Sequence, residues 1–345
     1  MGRSAAPARH QPGGLRRKTM MATLSPDSLG PTICVGEILV EIMATTIGDG
    51  FREPIDLIGP FPSGAPAIFI SQCARIGGMA AMIGAVGEDD FGRINTERLA
   101  DDGADISAIA VDLDYPTGSA FVRYRSDGSR DFVYNIATSA AARFGWIGNV
   151  EALVSRAGHL HVMGSGLSMQ SAVDVIERAL PIIRERGGSL SVDPNLRKEI
   201  TYDADTKKRF RNLIATADLL LPSGEELELA AGIEGEDAAI ERLFEMGVKE
   251  IALKRGSAGA TVFRPGAEPV SAAAFEVEEI DPTGAGDCFG GAYVASRRLG
   301  LSVEEALTYA NAAGARNVTR RGPMEGAGTR EELDRFIAET PRLGG

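Results

Sequence analysis

Cysteine is scarce in this chain: Cys34, Cys73 and Cys288 are the three copies, each in an apolar stretch. An odd, dispersed set excludes a disulfide framework and reads as reduced core thiols of a cytoplasmic protein. No uninterrupted apolar run nears the ~18 residues that a membrane helix needs. A basic stripe is missing as well, and 36 Lys and Arg against 48 Asp and Glu give a net charge of -12. Nucleic acid is therefore not an expected partner. The pattern G-x-x-x-x-G-K-[ST] does not occur, which removes the Walker-type nucleotide hydrolases. Histidine is limited to three residues. His159 and His161 share one face of an expected strand, but with no Cys or third His beside them they read as hydrogen-bonded core residues.

What is present is a regular alternation. Short apolar runs at Thr32 to Val40, Ala80 to Val86, Leu160 to Met163, Leu190 to Val192, Leu219 to Leu221 and Ile251 to Lys254 suit buried strands. Helical patterns at Ala65 to Ile76, Ser171 to Arg186, Asp205 to Thr216 and Glu236 to Met246 separate them. That order predicts an α/β fold with parallel strands, right-handed crossovers and ligands at the carboxyl ends of the strands. Residues 1–26 hold Arg3, Arg9, Arg16, Arg17 and Lys18 without an acid, so residues 1–30 are expected to form a disordered extension. The domain proper is expected over 31–340.

Asp281-Pro282-Thr283-Gly284-Ala285-Gly286-Asp287 precedes the apolar run that starts at Cys288. Gly284, Ala285 and Gly286 keep side chains away, so backbone N–H groups at a helix start can converge on a phosphate. Asp287 stands where phosphate oxygens would gather. A first-turn acid is ordinarily a dipole partner. Beside a phosphate it instead suits the base that accepts the proton of an attacking hydroxyl.

This heptapeptide resembles the signature of the ribokinase-like (phosphofructokinase B) sugar kinases. Five further segments resemble that family in its order: Gly36 to Glu41, Ser63 to Ile68, Gly87 to Gly92, Asp193-Pro194-Asn195-Leu196-Arg197, and Asn317 to Gly322. They cover roughly residues 32–338, and six ordered matches are far more specific than one glycine turn. The resemblance implies a three-layer α/β/α sandwich with a mostly parallel central sheet and a small β-lid, whose segments would be about 41–57 and 117–134. It also implies an ATP-dependent kinase acting on a hydroxyl of a small sugar, with Asp287 as general base.

On the sugar side the resemblance points to Glu41, Gly64, Ala65, Ile68, Asn195 and Arg197. Glu41 stands where relatives commonly have Asp, and Ile68 where they often have Asn, so the hydroxyls read must differ. Ser71, Gln72 and His161 are candidate replacements, with a solvent-facing place on the helix the alternative for Gln72. Keto-acid kinases of the family often carry a lid Arg before a Ser-Ala pair to clamp a carboxylate, and Tyr134 to Ala140 lacks it. A neutral ketohexose, tagatose or fructose, is therefore expected. Arg123 and Arg125 lie on one face of the preceding strand, where Arg125 is the candidate clamp and solvated lid arginines the alternative.

On the nucleotide side the resemblance implies Ser223, Lys254, Gly256, Gly259 and Asn311, with Glu226 holding Mg²⁺ through water. First-turn capping competes for that role. It also implies a K⁺ site from Asp281, Thr283, Asn317 and Gly322, with Asp281 as a plain turn residue the alternative. Within the family, Glu41, the Ser63 to Ile68 turn and Arg320 to Gly326 look most like bacterial tagatose kinase-like sequences. Other readings are a 2-keto-3-deoxygluconate kinase, a ribokinase, a nucleoside kinase, or a non-catalytic sugar-binding regulator, which an intact Asp287 disfavours. A homodimer is the expected assembly.

Overall fold

Strands that are apolar on both faces must be covered on both sides, and the chain does this with helices. The computed structural model describes Met1, residues 23–195 and residues 204–344. The first half contains β1 (Thr32–Val35), β2 (Leu39–Ala44), β3 (Leu57–Ser63), α1 (Ala65–Arg75), β4 (Ala80–Gly87), α2 (Asp90–Asp101), β5 (Asp105–Asp112), β6 (Gly118–Tyr124) and β7 (Arg130–Asn135). Next come α3 (Val150–Val154), β8 (His159–Met163), α4 (Gln170–Glu185), β9 (Ser189–Asp193), α5 (Ala204–Ile214), β10 (Leu219–Leu220), α6 (Gly224–Ala231) and α7 (Glu236–Met246). The last part holds β11 (Glu250–Lys254), β12 (Ala260–Phe263), β13 (Val270–Ala272), α8 (Ala285–Arg298), α9 (Val303–Val318) and α10 (Arg330–Glu339).

The central sheet runs β13-β12-β11-β10-β9-β8-β1-β4-β5. It is parallel from β5 to β11, while β12 and β13 close one edge as an antiparallel meander. Alternate strand residues feed two cores. Cys34, Met82 and Met163 join α1, α8 and α9, whereas Ile33, Ile83 and Val162 join α4 and α7 on the other face. The period of two in the strand side chains thus becomes two apolar layers.

Thr32 to Val40 does not form one strand. The chain leaves the central sheet after Val35, at Gly36, where a Cβ would lie 2.6 Å from Pro66 Cγ, and re-enters as β2 of a second sheet. That sheet, ordered β3-β2-β6-β7, is the lid. β6 and β7 form a hairpin about Asp127-Gly128-Ser129, with Gly128 at a φ of 82°.

Residues 23–30 do not behave as the expected extension. Leu24 is in the core, and Arg298, buried in α8, donates to the carbonyls of Ser25, Pro26 and Gly30. A buried guanidinium requires acceptors, and this segment supplies them. Residues 2–22 lie outside the described residues.

Candidate active site

Neighbouring strands β9, β10 and β11 end together, and each places a polar group on the same spot. Asp193 closes β9, Lys254 closes β11, and Ser223 follows β10 in register with Lys254. Lys254 Nζ lies 2.6 Å from Asp193 Oδ2; Asp193 is buried and Lys254 half-buried. Burial pushes the Asp193 carboxyl up to about 6 although Lys254 pulls it down. Burial alone would lower Lys254, but Asp193, Glu226 and Asp287 outweigh it and hold the ammonium above its usual range.

The first turn of α8 meets this cluster. Gly284 caps the helix at a φ of 78°, and a Cβ there would come within 2.3 Å of the Pro323 carbonyl, so only glycine fits. A Cβ on Gly286 would be 3.6 Å from Lys254 Nζ, which puts the ammonium directly beside the helix start. First-turn N–H groups have no intrahelical acceptor. Together with Lys254 they make a cationic pole at which Asp287 is the acid. Asn195 Nδ2 lies 3.5 Å from Asp287 Oδ1, and its φ of 37° is a left-handed conformation that Asn tolerates.

A cavity of about 660 Å³ opens from this pole to the lid. Glu41, Ser63, Gly64 and Ile68 also line it, and Ser63 Oγ donates to Glu41 Oε2 at 3.3 Å. The lid contributes Ala120, Phe132 and Tyr134, the last two stacked with centroids 5.0 Å apart. Arg130 also lines the cavity and donates to Thr283 Oγ1 at 3.3 Å.

Behind the helix start, two loops are tied together. Asp281 Oδ1 accepts from Tyr124 Oη at 2.5 Å and from Thr283 N at 3.0 Å, while Oδ2 accepts from Gly322 N at 2.9 Å. Burial and the Asp281 carboxylate push the Tyr124 phenol up, so it stays a donor. The site can therefore fix an anion at α8, hold a hydroxyl beside Asp287 and cover both with the lid.

Comparison with known proteins gives this arrangement a family. The pfkB family carbohydrate kinases match residues 61–330. This chain belongs to that family. It is 32% identical to fructokinase-1 of rice (Oryza sativa subsp. japonica) over 87% of this chain and 95% of the rice protein. Maize (Zea mays) fructokinase-1 is 31% identical over 88% of this chain and 97% of its own. Among solved structures, an E. coli protein assigned the name ribokinase II, in complex with ATP and Mg²⁺, superposes with a TM-score of 0.83. It is 43% identical and covers 90% of this chain and 99% of its own. The likeness establishes a ribokinase-like fold, as the motifs implied.

The kinase brings many of the expected residues to one place. Glu41, Gly64, Ile68, Asn195, Ser223, Glu226, Lys254, Gly256, Thr283, Gly284, Gly286 and Asp287 all line the cavity. Ala65 and Ala285 are the first residues of α1 and α8 and stand just behind it. Arg125 is not at the cavity. It pairs with Asp131 at 2.7 Å, and Arg123 holds the Gly50 carbonyl and Glu53. Cross-strand pairing of Ala120 with Tyr134 and Tyr124 with Arg130 sets one lid face on the cavity, and Arg123 and Arg125 project from the other. The lid arginine of the cavity is Arg130, which the hairpin register would have indicated.

Gly259 and Asn311 also stand away from the cavity. Asn311 Nδ2 donates to the Ala272 carbonyl at 3.0 Å, and a Cβ on Gly259 would strike that same carbonyl, so both brace the β12–β13 edge. Gln72 is buried, not solvent-facing, and pairs with the backbone of Gly328 at 2.9 and 3.0 Å. Ser71 donates to Asp102. His161 stacks on Phe69 at 3.7 Å and bonds Ser191, while His159 bonds Ser189 and Ser191; burial drives both imidazoles well down, so they are neutral core groups. Arg197 lies outside the described residues.

The donors suit a divalent ion held largely by phosphates. Glu226 caps α6 through Oε2, which accepts from Ser223 N and Oγ, and its carboxylate also borders the cavity. No group of three or more His, Cys, Asp or Glu able to hold a metal occurs among the described residues. One carboxylate reaching Mg²⁺ through water fits an ion that keeps most of its waters.

Proposed function

We propose that this kinase transfers the γ-phosphoryl group of ATP to a hydroxyl of a neutral ketohexose, fructose or tagatose. The observation that carries the reading is Asp287 placed at the anion-binding start of α8, inside the cavity that also presents Glu41, Ser63 and Gly64. The sugar oxygen forms the new bond to the γ-phosphorus, the bond to the β–γ bridging oxygen breaks, and the hydroxyl proton passes to the Asp287 carboxylate. First-turn N–H groups of α8 and Lys254 meet the charge on the transferring group. Bound Mg²⁺ would neutralise phosphate charge, with Ser223 and Glu226 at hand to hold its water shell.

Plant fructokinase relatives support a ketohexose, and a fructokinase of Vibrio cholerae, 25% identical with a TM-score of 0.75, was solved with fructose, ADP and calcium. Tagatose rests on the likeness of Glu41, the Ser63 to Ile68 turn and Arg320 to Gly326 to tagatose kinase-like sequences. Arg130 bonds Thr283 beside the helix start, so among the described residues that line the cavity none is a cation set beside Glu41 and Ser63 to meet a carboxylate. Desolvating an unpaired carboxylate is costly. The kcat/KM for fructose or tagatose should exceed that for 2-keto-3-deoxygluconate by at least ~10-fold, the ratio equivalent to about 1.4 kcal/mol. A keto-acid preference abolished by Arg130→Gln would replace this reading. NMR of the product identifies the phosphorylated carbon.

The outer lid face supports a homodimer. Leu57 and Val133 are exposed there beside the Phe51–Phe121 pair. Free, buried thiols at Cys34, Cys73 and Cys288 support a cytoplasmic location, and no helix among the described residues is long and apolar enough to cross a membrane.

A further inference from the structure

Two lid residues reach the turn that starts α8. Tyr124, the last residue of β6, and Arg130, the first of β7, stand directly opposite each other across the hairpin. Both converge on one atom, Thr283 Oγ1: Tyr124 Oη lies 2.9 Å from it and Arg130 Nη1 3.3 Å. Tyr124 Oη also lies 2.5 Å from Asp281 Oδ1. Arg130 is carried over the Phe132 ring, 5.5 Å from its centroid, which keeps the guanidinium on the cavity face of the lid.

Proton counting fixes the direction of this chain. The Asp281 carboxylate takes N–H groups from Thr283 at 3.0 Å and Gly322 at 2.9 Å and can only accept, so the phenol proton of Tyr124 is committed to it. The Tyr124 oxygen is left to accept, which makes Thr283 the donor between the two hydroxyls. Arg130 has only N–H groups to offer and donates to Thr283 Oγ1. The result is a one-way relay, Arg130 to Thr283 to Tyr124 to Asp281, with an exposed cation at one end and a buried carboxylate at the other. Opposite charges at the two ends polarise both hydroxyls in the same sense, so each link strengthens the next.

The middle of the relay is the residue that precedes Gly284, the left-handed cap of α8. Asn317 Nδ2 anchors the Thr283 carbonyl at 2.8 Å, and the lid holds the Thr283 side chain. Fixing Thr283 from both sides fixes where α8 begins, and with it the first-turn N–H groups and Asp287. We infer that Tyr124 and Arg130 are positioning residues for phosphoryl transfer, which act through the Thr283 hydroxyl on the anion-binding turn, so that one hairpin both walls the cavity and sets its helix start. Direct contact of Arg130 with a phosphate is the competing role for the same guanidinium.

The inference rests on the kinase reading for its kinetic arm, and its exchange arm needs no substrate. Tyr124→Phe keeps the ring and cuts the relay between Thr283 and Asp281, while Arg130→Gln removes its charged end. Each should lower kcat by about tenfold, the scale of a lost hydrogen bond in a charged network, and change the KM for fructose or tagatose by less than about twofold. The double variant should be no slower than the poorer single one, because both substitutions remove the same interaction. Losses that multiply to about a hundredfold would overturn the inference, since Arg130 would then act independently of Tyr124. Wild-type kcat in Tyr124→Phe would overturn it too and leave the relay to stability alone. In amide hydrogen exchange on the full chain without ligands, each single variant should speed exchange in the 124–130 hairpin and in the 281–287 turn together. Unchanged exchange at 281–287 in both variants refutes the coupling. A chain inactive on every sugar tested leaves that comparison intact, which separates failure of the substrate reading from failure of this one.

Discussion

Asp287 shows how one residue type takes opposite roles by position. At an ordinary helix start its carboxylate would only favour the dipole. On the proposed reading Lys254 and the first-turn N–H groups would fix an anion beside it, so the carboxylate is useful only if it takes up a proton. Asp287→Asn should lower kcat on the order of 10²-fold or more while leaving ATP affinity nearly unchanged. Near-wild-type steady-state turnover would remove Asp287 from the mechanism. The Asp193–Lys254 pair adds a pH signature. Burial holds the Asp193 carboxyl at about 6, against a reference value of 3.8. A raised carboxyl contributes stability that is full below 3.8 and lost as pH rises through about 6, so acidification across this window does not weaken the fold through this group. The kcat/KM for ATP should nonetheless fall below about pH 6 as Lys254 loses its ionised partner, with an unchanged circular dichroism spectrum. Asp193→Asn should lack that limb, and a limb that persists belongs to another group. Asp287, Lys254 and Glu41 were legible because each sits in a motif or at a strand end. Arg130 was not, because cavity-facing and outward lid residues alternate along one strand and only the hairpin register separates them.

At the scale of the element, α8 carries the most specific demand. Gly284 requires its left-handed φ and its lack of a Cβ, whereas Gly286 has no such backbone constraint and a Cβ would meet only Lys254 at van der Waals distance. Gly286→Val should therefore fold, yet its methyl groups would occupy the space that a phosphate needs beside the helix start. Turnover should collapse with native circular dichroism, and unchanged activity would mean the phosphate binds elsewhere. Helices α1, α4 and α7 fall close to where periodicity put them, because an apolar stripe repeated every third or fourth residue has few alternatives. The run from Thr32 to Val40 was misread as one strand for a corresponding reason. Its apolar residues are buried throughout, first in the central sheet and then in the lid, and only the pair Gly36-Glu37 marks the exit.

For the molecule as a whole, the family fold followed from the order of motifs, and the surfaces that face other molecules were the least legible part. Outer lid residues Phe51, Pro54, Ile55, Leu57, Phe121 and Val133 surround an apolar groove, and Leu57 and Val133 are 44% and 47% exposed. An apolar face on a thin four-stranded lid is costly to leave in water, since one side of such a sheet must be covered to be stable. A second copy of the same lid is a self-complementary cover of the kind a two-fold dimer provides. Sedimentation should therefore give twice the chain mass at micromolar concentration, whereas a wild-type monomer would exclude the dimer. Val133→Asp places a charge in the groove from a position that is half exposed in the isolated chain, so folding should be retained while the dimer dissociates. The lid also forms a wall of the cavity through Ala120, Phe132 and Tyr134, on the strands that carry Phe121 and Val133 outward. Loss of the partner should then raise the KM for the sugar more than it alters the KM for ATP, because the nucleotide end is built on β9, β11 and α8, away from the groove. Equal changes in both constants would indicate general destabilisation in place of an uncovered lid.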